Sequence, residues 1–282
     1  MLVTPIVDAG LAGLLGLLIG SFLNVVVYRL PKMLERQWAK ECAELGGRPV
    51  SEPKAERFNL MVPRSRCQKC GHQIRWFENI PVLSYLALRG RCAVCRTPIS
   101  LRYPLVELAT GGLFFFSAWT WGITPTGLVW SAFGAAILTL GLIDWDTTLL
   151  PDDITLPLLW GGLIAAALQW TTVPLPTALW GAVAGYLSLW LVYWSFKLVT
   201  GKEGMGYGDF KLYAALGAWF GWPALVPIIL MASVIGAIVG IAMKFSSGLR
   251  EGGYVPFGPF LAAAGLTSMV FGPQSILRLL GL

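Results

Sequence analysis

From Pro125 to Asp153 the chain reads PTGLVWSAFGAAILTLGLIDWDTTLLPDD. The first 19 residues carry no charge, and the last ten carry four acids and no base. An uncharged run of that length is what a helix needs to cross about 30 Å of hydrocarbon. The acids follow without a break, so they mark the edge of the span. Ionisable side chains in or beside a membrane helix are costly enough to raise a functional hypothesis by default.

Seven further runs lie at about 6–28, 104–122, 154–171, 176–197, 209–222, 224–244 and 256–280, the one at 209–222 being short. Over all 282 residues the chain is 56% hydrophobic and 13% charged, with mean hydropathy +0.66. A soluble domain is about 25% charged. The fold class expected is therefore an all-α polytopic membrane protein of about eight transmembrane helices. No Lys or Arg precedes Arg29, and the first apolar run is too long for the core of a secretory signal, so it reads as a retained helix.

Charge orients the bundle. With eight spans, 20 of the 21 Lys and Arg fall on one side, fifteen of them between Arg29 and Arg102, leaving Arg278 opposite. The positive-inside rule makes that side the cytoplasm. The expected division is a first transmembrane helix at 1–30, a small cytoplasmic metal-binding insert at 31–103 and a seven-helix membrane domain at 104–282. The net charge of +6 follows from this topology, so it makes no case for nucleic acid. Thirteen tryptophans suit the two membrane interfaces.

The insert holds Cys67, Cys70, Cys92 and Cys95, two C-x-x-C pairs separated by 21 residues. Each pair forms a knuckle giving two thiolates to a tetrahedral ion, the four-cysteine zinc pattern. A reducing compartment disfavours the competing disulfide reading. Four thiolates close the coordination sphere, so zinc here would be structural. Gly71 and Gly90 beside the pairs suit knuckle turns. His72, the only histidine, reads as a bystander to a complete ligand set, and Cys42 stands alone.

Four of the nine acids outside the insert lie in the opening stretch, as Asp144, Asp146, Asp152 and Asp153, and a fifth, Asp209, sits in GYGDFK at 206–211. Asp152, Asp153 and Asp209 precede or begin apolar runs, where carboxylates satisfy free helix amides. Asp144 ends a run, where the helix dipole opposes it. Gly206 and Gly208 leave room for a backbone to approach Asp209. Two carboxylates at one depth on different helices can share a proton, one activating water while the other polarises a carbonyl. With its only histidine beside the cysteines, the chain offers no histidine-based triad. The acid patch at 144–153, within a basic face, would attract a basic peptide.

Several segments together resemble the type IV prepilin peptidases: GSFLNVVVYRLP at 20–31, FNLMVPRSRCQKCGH at 58–72, ENIPVLSYLALRGRCAVC at 78–95, RYPLVEL at 102–108, IDWDTTLLPD at 143–152 and GYGDFK. The resemblance implies an eight-helix inner-membrane aspartyl protease of the GxGD class. It would cut the basic leader from prepilins or pseudopilins of pilus and type II secretion systems after a glycine, at the cytoplasmic face. It would then methylate the new N-terminus with S-adenosylmethionine. The family's catalytic aspartates carry over to Asp144 and Asp209, and its metal-binding cysteines to Cys67, Cys70, Cys92 and Cys95. The methyl-donor site is unassigned. ELGGRP at 44–49 follows no predicted strand and is no dinucleotide fingerprint. The insert is the expected seat of methylation, and Glu107 reads either as a buried polar anchor or as a contributor to it.

Two rivals remain open on sequence. One is a GxGD protease of transmembrane helices rather than prepilins. The other is a non-enzymatic scaffold or a transporter, which would want acids near the midplane.

Overall fold

The computed structural model describes residues 3–46, 58–245 and 255–279. Arg48, Lys54, Arg57, Arg250 and Glu251, and residues 47–49 of the ELGGRP segment, lie outside the described residues. The described chain is helical, and it divides into two compact units, Met1–Gly122 and Ile123–Leu282.

In the first unit, α1 (Val3–Leu45) packs along α3 (Arg102–Trp121). At 1.5 Å per residue the 43 residues of α1 extend about 65 Å, twice the hydrocarbon thickness. The helix therefore outruns any membrane crossing, continuing through Pro31 to Leu45. Between the two helices lie a 3-10 turn at Trp76–Asn79, the five-residue α2 (Leu83–Ala87) and two isolated bridges, Arg66 to Gln73 and Arg91 to Pro98. Of residues 58–101 only Pro81, Gly90 and Cys92 are buried, so this segment has almost no apolar core.

The second unit contains α4 (Pro125–Thr147), α5 (Asp152–Ala167), α6 (Leu175–Thr200), α7 (Tyr207–Phe220), α8 (Leu225–Phe245), α9 (Gly258–Phe271) and α10 (Pro273–Leu279). The short apolar run at 209–222 becomes α7, 14 residues buried over most of their length and touching α5, α6, α8 and α9. At about 21 Å it is shorter than the hydrocarbon core. A helix buried over most of its faces belongs inside a bundle, and α7 is the centre of this one. Trp219 near its end donates from Nε1 to the Leu158 carbonyl at 2.8 Å and packs on Phe133 and Trp130.

Four of the described helices are long and apolar enough to cross a membrane: Pro5–Leu45, Pro125–Thr147, Leu175–Thr200 and Trp222–Phe245. Others among the expected spans, α5, α7 and α9, are shorter, at 16, 14 and 14 residues. The run expected at 256–280 is broken: α9 stops at Gly272, whose φ is +79°, and Pro273, with no N–H to donate, starts α10.

Helices α6 and α7 meet backbone to backbone. A Cβ on Gly181 would collide with the Gly217 carbonyl, and one on Gly217 with that of Gly181. Gly217→Ala is expected to destabilise the protein by about 1–3 kcal/mol, the usual cost of overpacking. Thermal unfolding in detergent should show a lower midpoint, whereas Gly112→Ala, with nothing within 4 Å of the added methyl, should not lower it.

Candidate functional site

Asp144 lies in the last turn of α4 and is 4% exposed. The helix ends just beyond it because Thr148 takes the left-handed conformation, φ 57°, and donates its amide to the Asp144 carbonyl at 2.9 Å. The dipole of α4 disfavours an acid there. Helix α9 approaches it closely: a Cβ built on Gly258, the first residue of that helix, would lie 2.5 Å from Asp144 Oδ2. The carboxylate thus rests against the start of α9, the favourable end of its dipole.

Asp209 occupies the first turn of α7, where the N-cap is Gly206, and is 7% exposed. The two acids come from separate helices, and Leu150 stands between their neighbourhoods. A Cβ on Gly208 would sit 2.7 Å from Leu150 Cβ, and one on Gly258 would sit 3.2 Å from Leu150 Cδ1. Gly208 touches Leu150 on the Asp209 side, and Gly258 touches both Leu150 and Asp144 on the other.

The two glycines of GYGD differ. The room at Gly208 is filled by Leu150, so that glycine serves packing. Around Gly206 the nearest atom to an added Cβ is the Gly208 nitrogen, 4.0 Å away, which leaves open space beside the acid. Leu150 and Gly258 were not singled out from the sequence. The only signal was Gly-Pro at a helix start, and nothing in it names Asp144 as the neighbour.

Asp152 and Asp153 lie in the first turn of α5, but the N-cap is Pro151 and no side chain caps the helix. Asp152 is instead paired with Lys211, Nζ to Oδ1 2.7 Å. The patch at 144–153 is therefore less negative than its composition suggests, and Asp153 is exposed.

In the first unit the sulfurs of Cys67, Cys70, Cys92 and Cys95 all lie within 4.8 Å of one another, a group that could hold a metal ion. Cys67 to Cys95 is 3.7 Å and Cys70 to Cys92 is 4.0 Å. A tetrahedron with zinc–sulfur bonds of 2.3 Å has edges of about 3.8 Å, so the donor set fits. The knuckles match: Gly71 and Cys67 amides bond to the carbonyls of Cys67 and His72, and Arg96 and Cys92 amides to those of Cys92 and Thr97. The left-handed residue after each pair is Gly71 in the first and Arg96, φ 57°, in the second. Gly90, expected at the second knuckle, precedes it and faces the Tyr85 ring.

The thiols are uneven. The Thr97 hydroxyl and amide bring Cys95 down to about 6, and the Cys70 and Lys69 amides hold Cys67 below the ordinary thiol range. The His72 amide favours the Cys70 thiolate, but desolvation and hydrogen bonds with the other three sulfurs push Cys70 up to about 11. A bound cation removes that conflict, since all four ligands then deprotonate. His72 sits outside the cluster, its Nε2 3.1 Å from Glu78 Oε2. The Arg75 amide and His72 hold Glu78 below its usual range.

Two family models match, the bacterial peptidase A24 N-terminal domain over residues 14–121 and the type IV leader peptidase family over 131–241. The first ends where the first compact unit ends. The chain is 56% identical over 274 residues to the prepilin leader peptidase/N-methyltransferase of Pseudomonas putida, covering 96% of this chain and 94% of that protein. It is 55% identical to the protein of the same description from Pseudomonas aeruginosa, covering 93% and 89%. The Aeromonas hydrophila counterpart is 51% identical over 94% of this chain and 91% of its own. No solved structure matches.

The cluster and the glycines each yield a measurement. Elemental analysis of purified protein should find about one metal ion per chain, and Cys67→Ser with Cys70→Ser should remove it. Gly208→Ala should lower the thermal midpoint by forcing Leu150 aside, while Gly206→Ala, which costs only the N-cap preference, should lower it less. Equal effects of the two would contradict the assignment of space around Asp209.

Proposed function

We propose, from the premise that this chain belongs to the type IV leader peptidase family, that it cleaves the leader of prepilins or pseudopilins and methylates the new N-terminus. Asp144 and Asp209 are the proposed dyad. The observation that supports this reading is two buried carboxylates on separate helices, each beside a glycine in contact with Leu150. One carboxylate takes a proton from water as it attacks the scissile carbonyl. The other, protonated, donates to the carbonyl oxygen. The apolar surroundings that bury both acids keep bulk water from competing for these bonds. Open space at Gly206 is the proposed approach for the substrate backbone.

The four thiolates suit zinc, which with a closed ligand set supplies folding energy and takes no part in bond making. S-adenosylmethionine supplies a methyl group on a sulfonium for the amine that cleavage exposes, and this work is assigned to the first unit. The protein is a membrane protein, and the placement of Lys and Arg supports a bacterial inner-membrane orientation with the cysteine segment and the acids facing the cytoplasm.

The deciding experiment is mass spectrometry of a prepilin incubated with purified protein, with and without S-adenosylmethionine. Asp144→Asn and Asp209→Asn should each slow cleavage by about 10²–10⁴-fold, the usual worth of a general acid or base. Both should still methylate a pilin supplied already cleaved. Full cleavage by either variant rejects the dyad. Lys211 already pairs with Asp152, and the exposed Asp153 beside it is proposed to attract a basic leader. Asp153→Asn should raise KM for such a leader, with an effect that shrinks as salt rises. A salt-independent KM excludes that role.

A further inference from the structure

The first unit holds a half-open cavity of about 940 Å³ between α1, α3 and the cysteine segment. That volume lies within the range of about 300–1,000 Å³ usual for cofactor sites. Two of the charged groups of its wall are committed elsewhere. Arg29 donates to the carbonyls of Asn59, Leu60 and Pro63, and Glu78 accepts from the Arg75 amide and lies against His72.

Glu107 differs. It lines the cavity from α3, is 8% exposed, and uses Oε2 to accept the Val82 amide at 2.8 Å. That bond holds a β-branched residue at φ 60°, a conformation valine does not choose alone. An uncharged amide oxygen would serve this structural purpose equally well. A buried carboxylate costs far more than a buried amide unless a cation answers it. The fold also brings Glu107 into place by close contact: a Cβ on Gly20 of α1 would lie 2.7 Å from Glu107 Cα. One turn further along α1, Asn24 donates to the Tyr103 carbonyl at 3.1 Å, tying the helices at the same level.

The aromatic lining narrows the occupant. Tyr28 and Phe58 already carry Lys32 and Arg36 over their faces, at 3.6 and 4.2 Å. Tyr85, fixed by its hydroxyl donating to the Ile99 carbonyl, and Tyr103 are available to stack on a flat ring. Arg64 and Arg66 in the same wall suit a carboxylate. A buried acid for a cation, rings for a base and guanidiniums for a carboxylate match an adenosyl amino-acid sulfonium. An anionic phospholipid headgroup would be repelled by the buried carboxylate.

We infer that this cavity is the S-adenosylmethionine site, with Glu107 as the counter-charge to the sulfonium and Gly20 as the residue that lets α3 seat it. The inference rests on reading the chain as a methyltransferase. It extends the expected seat of methylation from the cysteine segment to the two flanking helices.

The test compares binding of S-adenosylmethionine with that of S-adenosylhomocysteine, the neutral thioether, by isothermal titration to the full-length, metal-loaded protein. Glu107→Gln keeps the acceptor for Val82 and removes only the charge. It should weaken the sulfonium at least tenfold and the thioether less than threefold. Prepilin cleavage by the same preparation reports that the variant is folded. As a second measurement on wild type, ultraviolet crosslinking of radiolabelled S-adenosylmethionine should label peptides between residues 78 and 107. Equal losses for both ligands, unchanged affinity for both, or labelling confined to other peptides overturns the inference while leaving the methyltransferase reading intact. A wild-type protein that neither binds the donor nor methylates a cleaved pilin would reject that reading itself.

Discussion

Lipid tails are as apolar as leucine, so a bundle in a membrane gains little from hiding leucine and must be held by close packing. In this chain the closest packing is made where glycine lets two backbones meet. Gly181 of α6 and Gly217 of α7 stand carbonyl to carbonyl, and Gly20 of α1 stands against Glu107 and Thr110 of α3. Side chains at these points would push the helices apart by the width of a methyl group. The consequence is local and chemical, because each contact fixes the level of an acid along its helix. Asp209 sits two turns before Gly217, and Glu107 lies directly opposite Gly20.

The same constraint explains how two carboxylates are tolerated inside an apolar unit. Asp144 is at the wrong end of its own helix, and the first residue of α9 approaches it closely because position 258 has no side chain. Asp209 is at the favourable end of α7 and needs no such device. The two acids thus reach similar burial by different electrostatic routes. Different surroundings are what allow paired acids to take different protonation states.

Much of this was legible in the sequence. Apolar runs gave the helices, although α5, α7 and α9 are shorter than a crossing, and the spacing of Cys67, Cys70, Cys92 and Cys95 gave a cluster whose sulfurs converge. Joint motifs gave the family. What stayed hidden depended on contacts between distant segments. Nothing near Gly208 says that Leu150 fills its space, and nothing near Asp152 says that Lys211, 59 residues on, neutralises it. The second knuckle shows the limit of composition: its left-handed position is taken by Arg96, while the glycine nearby serves Tyr85. The run at 256–280 looked continuous because hydropathy does not register that Gly272 and Pro273 together end a helix.

The cysteine segment carries a further consequence for the cavity beside it. Residues 58–101 bury only three side chains or glycines, too few to hold a fold of that size without help. Yet Cys67 and Cys92 belong to the cavity wall, as do His72 and Glu78 between them. The far side of the wall is different in kind, since α1 and α3 are long helices locked by small residues. One half of the cavity is therefore held by helix packing, and a metal on the tetrad would hold the other half. A metal held by the four sulfurs, though it would make no bond to a reactant, would still bear on binding there, because beyond the bonds from Arg29 and Glu107 that half of the wall has little else to keep it folded.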